Sequence, residues 1–146
     1  MSASRSVGPA DAYIRFYEEL GPDTVDRLRE VASDDVRFRD PFNDVTGLEA
    51  YRRLLVKMYD TLPDAKFIVT HQSVDGDTCF IRWRSEATLR GKPWIVEGMS
   101  ELRFAPDGKV REHIDHWDAA GQFYERFPII GSMIRFIRRR VAKAHQ

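Results

Sequence analysis

The chain has 146 residues, 42% hydrophobic and 12% aromatic, which is enough apolar mass for one domain enclosing a core and a cavity and too little for two. Lys+Arg and Asp+Glu balance at 23 each, so no global charge attracts nucleic acid or an acidic partner. A lone cysteine, Cys79, excludes an internal disulfide. Residues 1–9 lack the apolar run of a secretion signal, and the greasiest stretch, 127–137, carries Arg135 and is too short to span a bilayer, so a cytoplasmic protein is expected.

Pro9 and Asp11 open a segment in which Ala12, Tyr13, Phe16, Tyr17 and Leu20 recur at three- and four-residue spacing, and Gly21-Pro22 closes it as a first helix. Asp23 or Thr24 caps a second helix with Val25, Leu28 and Val31 on its buried face. Residues 36–40 alternate as a short strand that Pro41 stops, and residues 47–60 read as a third helix on Leu48, Tyr51, Leu54, Leu55 and Met58.

From Ala65 the period changes to two. Residues 67–74, 78–89, 94–104 and 110–117, joined by Asp75-Gly76-Asp77, Arg90-Gly91-Lys92-Pro93 and Pro106-Asp107-Gly108-Lys109, predict four antiparallel strands in meander order. Residues 119–126 and 129–143 follow as two helical pieces, hinged at Pro128 and Gly131. The expected fold class is α+β: three N-terminal helices packed into the concave face of one curved antiparallel sheet, with helices after it. One domain is expected over 1–146, its core at about 10–126 and a helical tail at 127–146.

Two segments carry the candidate chemistry. Arg39-Asp40-Pro41-Phe42 ends the first strand, and Glu112-His113-Ile114-Asp115-His116-Trp117-Asp118 ends the last. Both interleave ionisable with large apolar side chains, the pattern of a strand that lines a greasy pocket and still moves protons. That makes the chain a candidate acid–base enzyme for a hydrophobic small molecule. His113, Asp115 and Asp118 do not converge as metal ligands, and no Ser-His-Asp order, phosphate loop or Cys-His cluster occurs, so neither metal nor cofactor is expected.

The run Asp35-Val36-Arg37-Phe38-Arg39-Asp40-Pro41-Phe42, the helix start Gly47-Leu48-Glu49-Ala50 and the closing Gly108-Lys109-Val110 through His116-Trp117-Asp118 resemble the nuclear transport factor 2-like superfamily. More closely they resemble its SnoaL-like branch, which includes polyketide cyclases, from about Ala12 to about Tyr124. The resemblance implies a cone-shaped fold on which isomerases, cyclases, dehydratases, epoxide hydrolases and non-catalytic adaptors all occur. From the ketosteroid isomerase members it implies Asp40 as proton shuttle. Their oxyanion-hole Asp falls here on Ser100, aligned through Leu102-Arg103-Phe104, and their Tyr falls near Ile14, flanked by Tyr13 and Tyr17; that departs from a strict ketosteroid isomerase.

Limonene epoxide hydrolases and SnoaL-type cyclases work with a carboxylate on the last strand, which the resemblance assigns to Asp115. It also places Arg111, His113, Asp115 and Trp117 on the pocket face, whereas hydrophobicity alone favours Val110, Glu112, Ile114 and His116. Arg84-Ser85-Glu86 offers the Arg-x-acid pair of an epoxide hydrolase, yet parity with Ile81, Trp83, Ser85, Ala87 and Leu89 turns Arg84 and Glu86 outward.

The resulting expectation is cofactor-independent proton transfer next to a carbonyl, of isomerase or cyclase type, on a cyclic substrate such as a steroid or polyketide. Asp40 and Asp115 divide base and acid duties, Tyr17, His113 or Ser100 donate to the enolate, and Tyr13, Phe42, Trp83, Leu102 and Trp117 wall the substrate. The plain readings stand beside it: Asp40 as a turn former, His113 as a sheet residue, the tryptophans as core. A non-catalytic hydrophobic-ligand-binding or accessory dimer protein, and an epoxide hydrolase, are the other functions left open. Ile95, Met99 and Ile114 predict a homodimer through the convex face of the sheet. The basic C-terminal helix reads first as a packed helix and second as a lid over the pocket or a contact with an anionic membrane.

Overall fold

The computed structural model of the chain describes residues 8–144, which divide into two compact units, the first ending at His116 and the second opening at Trp117. The division lies ahead of the expected tail at 127 because the last strand stops pairing at His116 and Asp118 already caps the next helix, its Oδ1 accepting from Gly121 N at 2.9 Å.

In the first unit, α1 (Asp11–Glu18) buries Tyr13, Ile14, Phe16 and Tyr17 on one stripe. The expected second helix is a 3-10 turn, Val25–Arg27, followed by the four-residue α2 (Leu28–Val31). It is cut short because β1 (Ala32–Arg39) begins earlier than its alternation suggests, carrying exposed Asp34 and Asp35 through an irregular stretch before Val36 and Phe38 turn inward. A strand the sequence hides, β2 (Asp44–Thr46), pairs back on β1 before α3 (Leu48–Thr61).

The meander then runs as expected through β3 (Lys66–Asp75), β4 (Thr78–Leu89), β5 (Lys92–Phe104) and β6 (Val110–His116). Sheet order is β2-β1-β6-β5-β4-β3, antiparallel throughout except for the parallel β1–β6 pair. The β4–β5 turn places Arg90 and Gly91 at φ 53° and 76°, the two left-handed positions of a tight two-residue hairpin. The fold is thus α+β, with a curved sheet that does not close and α1 and α3 against one of its faces.

One correction bears on the site. Phe104 pairs with Val110 but Arg103 pairs with Glu112, so Arg111 sits in a β-bulge. Plain alternation would put Val110 opposite to His113; the bulge brings both to the buried side and leaves Arg111 exposed. The expected pocket face therefore holds for His113 and Asp115 and fails for Arg111.

The second unit contains α4 (Ala119–Gln122), a 3-10 turn (Tyr124–Arg126) and α5 (Pro128–Ala144). Pro128 starts α5, where its missing N–H costs nothing. Gly131 is not a hinge: it is buried within the continuous helix, and a Cβ there would collide with the Glu125 carbonyl oxygen. The Arg138 guanidinium ties the unit together, reaching Glu125 at 2.6 Å and Asp118 at 2.9 Å.

Candidate functional site

Strand alternation aims Ile81 and Trp83 of β4, Ser100 of β5, and His113 and Asp115 of β6 at one side of the sheet. There, Tyr17 of α1 and Phe67 of β3 complete the wall of a cavity of about 30 Å³. That is room for roughly two water molecules. Ser100 faces Asp115 directly across β5–β6, and Leu102 faces His113. The His113 side chain is 3% exposed and that of Asp115 16%, so the carboxylate is the group of this pair that meets the cavity contents.

A continuous hydrogen-bond chain joins these groups, and its donor directions follow from one end. Trp83 Nε1–H can only donate, and it does so to Ser100 Oγ at 2.7 Å. The Ser100 hydroxyl hydrogen is thereby free to go to Asp115 Oδ1, its other partner. His113 Nε2 also lies on Oδ1, at 2.6 Å. Oδ1 accepts there, so that nitrogen carries the hydrogen; in the tautomer that leaves Nδ1 bare, the ring accepts at Nδ1 from Tyr13 Oη at 2.7 Å. Tyr13 in turn accepts from Tyr51 at 2.7 Å, and Tyr51 from Tyr17.

Every hydrogen in the chain points toward one carboxylate. Both donors fall on Oδ1, which leaves Oδ2 for a ligand. Burial pushes all three tyrosine hydroxyls well above their ordinary pKa, so they stay protonated as donors. The imidazole is walled by aromatic rings, with Phe38 at 4.9 Å, Tyr17 at 5.4 Å and Tyr13 at 5.6 Å between centroids. His113 therefore holds Asp115 rather than reaching a substrate itself.

The other candidates lie elsewhere. Asp40 does not line the cavity: it closes the β1–β2 hairpin, accepting from Phe42 N at 2.8 Å, Asn43 N at 2.7 Å and Asn43 Nδ2 at 3.0 Å. Burial outweighs those bonds and raises its pKa, with the Asp115 charge adding to the rise. Phe42 is exposed, Leu102 is fully buried core, and Trp117 belongs to the second unit. Arg84 pairs with Glu86 at 3.0 Å away from the cavity, as parity requires. Tyr51, by contrast, is central to the network although its spacing marks it only as a buried helix position. The signal for it is chemical: a buried tyrosine hydroxyl needs a partner, and Tyr13, Tyr17 and Tyr51 supply one another. Among the described residues no three His, Cys, Asp or Glu side chains are grouped to hold a metal, and no helix is long and apolar enough to cross a membrane.

The SnoaL-like domain model matches residues 13–113, a stretch bounded by two members of this network. No match was found among curated proteins. Similar solved structures include a protein from Jannaschia sp. CCS1 provisionally named a SnoaL-like polyketide cyclase, at 19% identity over 77% of this chain and 87% of that one, TM-score 0.68. Another, from Acidithiobacillus ferrooxidans and provisionally named a polyketide cyclase, matches at 17% identity over 82% and 94%, TM-score 0.69. A Catenulispora acidiphila protein of ketosteroid isomerase-like fold, in complex with trimethylamine, matches at 15% over 80% and 90%, TM-score 0.67. At these identities the likeness speaks for the fold.

Proposed function

The chain belongs to the SnoaL-like domain family, and from that premise we propose that it is an enzyme that moves a proton next to a carbonyl in a hydrophobic small molecule, without a cofactor. Asp115 is the base. The observation that carries this reading is a carboxylate on the wall of a mostly apolar cavity, with Ser100 and His113 both spent on one oxygen and the other left for the substrate. Two donors fix its orientation, as a base acting in a near-attack geometry requires. Tyr17, also on the wall, ends the chain: by turning its hydrogen from Tyr51 it becomes a donor to a developing enolate, and its raised pKa keeps that proton in place until the charge forms.

Cavity size narrows the substrate. A space of about 30 Å³ is an order of magnitude below a drug-sized ligand site, so it takes the enolisable end of a molecule, with any further rings outside it. Buried, unpaired Cys79 suits a reducing, cytoplasmic compartment. The exposed, apolar side of β4 and β5 supports a homodimer.

The test is deuterium exchange. A panel of cyclic ketones, from cyclohexanone to a steroid enone, is incubated in deuterated buffer with the protein, and loss of the α-proton signal is followed by NMR. Exchange above buffer with the wild type and not with Asp115→Asn supports the enzyme. Binding without exchange across the panel would instead make this a ligand-binding module.

A further inference from the structure

Helix α5 has a pattern the cavity does not use. Across its 17 residues it carries Arg135, Arg138, Arg139, Arg140 and Lys143 and no acidic residue. At 3.6 residues per turn, Ile129, Ile130, Met133, Phe136, Ile137 and Val141 fall on one arc of the helix. All six are exposed, Ile129 to 86%. Arg139 and Lys143 border the arc, three and seven residues beyond Phe136. Arg140 lies within the arc, its guanidinium carbon 5.7 Å from the Phe136 ring centre. Arg138 is spent on Asp118 and Glu125, whereas Arg139, Arg140 and Lys143 have no acidic partner among the described residues.

Charge and apolarity together select the occupant. A second α5 would cover the apolar arc but set five cations beside five more with no acid on either helix. A protein groove that took the arc would leave the bordering cations on the water side. A bilayer surface uses both at once: the arc sinks to the acyl boundary while flanking Arg and Lys stems extend to the phosphate level. We propose that α5 is an amphipathic anchor that lies in the interface of a membrane rich in anionic phospholipid.

The experiment is co-sedimentation of the full chain with vesicles of pure phosphatidylcholine and of phosphatidylcholine with one quarter phosphatidylglycerol. Wild type is expected to pellet with the anionic vesicles and not the neutral ones, and to be released by about 0.5 M salt as the charges are screened. Arg139→Gln with Lys143→Gln should weaken partition by roughly 10- to 30-fold, from about a tenfold loss or less per cation near the surface. Ile129→Asp should abolish it. These side chains are exposed, so circular dichroism should match the wild type; if a variant does not fold, the salt release of the wild type decides. No binding to anionic vesicles, binding that ignores salt, or binding that survives both variants overturns the proposal. So does a lipid-free sedimentation experiment in which Ile129→Asp dissociates an oligomer, since the arc would then belong to a second copy.

Discussion

Asp115 makes the sharpest demand on its neighbours because two donors, Ser100 and His113, converge on one of its oxygens. Asparagine can keep an acceptor at Oδ1 and only forfeits the base. Asp115→Asn is therefore expected to lower ketone exchange by roughly 10²–10⁴-fold, the usual worth of a positioned general base, with little change in thermal midpoint. Asp115→Ala leaves both donors facing nothing and is expected to cost about 1–3 kcal/mol in urea unfolding. The tyrosines answer to pH instead. Tyr13, Tyr17 and Tyr51 have folded pKa values far above the ordinary value of about 10, with burial the largest cause in each. Their contribution to stability is whole below that ordinary value and is lost as pH climbs above it, because only the unfolded chain then releases the protons. Absorbance at 295 nm should accordingly show these three of the five tyrosines ionising together with loss of the fold, in one cooperative step; early, gradual ionisation of all five would contradict the sealed network.

At the scale of elements, the Asp40 turn and the strand beside it behave as a closing device. The β1–β2 hairpin is held by Asp40 accepting three N–H donors and by Arg37 on Asp44 at 2.8 Å. Since burial raises the Asp40 pKa, the fold prefers its neutral form, and that stability is present below the ordinary carboxylate pKa and fades as pH rises through the raised one. Asp40→Asn should thus match or exceed the wild-type melting temperature at neutral pH and lose that advantage near about pH 3.5, where the wild-type carboxylate is protonated too. A neutral-pH loss of several degrees would show that the charge itself holds the hairpin. What could be read from sequence follows the same physics. The β3–β6 meander was legible because period-two burial and glycine turns repeat over long strands, and α1 and α3 because their apolar stripes are wide. Strand β2 was not, since Asp-Val-Thr is too short to show a period, and the Arg111 bulge was not, since an extra residue leaves no mark in composition. Gly131 looked like a hinge because a glycine needed for close approach to Glu125 reads the same as one needed for flexibility.

For the whole molecule, alternation along β5 separates two roles. Val96, Ser100 and Leu102 face the core and cavity, while Ile95, 54% exposed, and Met99 face outward, Met99 opposite Arg82 and diagonal to Phe80 of β4. The segment with His113 and Asp115 stood out by its interleaved ionisable and apolar residues and had its pocket face assigned by likeness to a family; the outward patch follows from the same assignment of faces. A patch of that kind is the centre of an interface only if its rim extends it to the roughly 1,000 Å² or more that a stable dimer buries. The sheet extends it with Arg82, Arg84, Glu86, Glu97 and Glu101 on the same side, Arg82 opposite Met99, Glu86 opposite Ile95 and the Arg84–Glu97 pair between them, so opposite charges are interleaved with the apolar side chains. The wild type is expected to sediment as a dimer at micromolar concentration. Met99→Asp buries a charge at the centre of that interface and should give a monomer. Because Met99 points away from Ser100 and the cavity, ketone exchange by the monomeric variant should stay within about twofold of wild type, and Asp115→Asn should stay dimeric. A wild type that sediments as a monomer sinks the dimer. A Met99→Asp monomer that has lost exchange would mean instead that the sheet needs its partner to hold Ser100 against Asp115, and the two faces of β5 would be coupled through the strand itself.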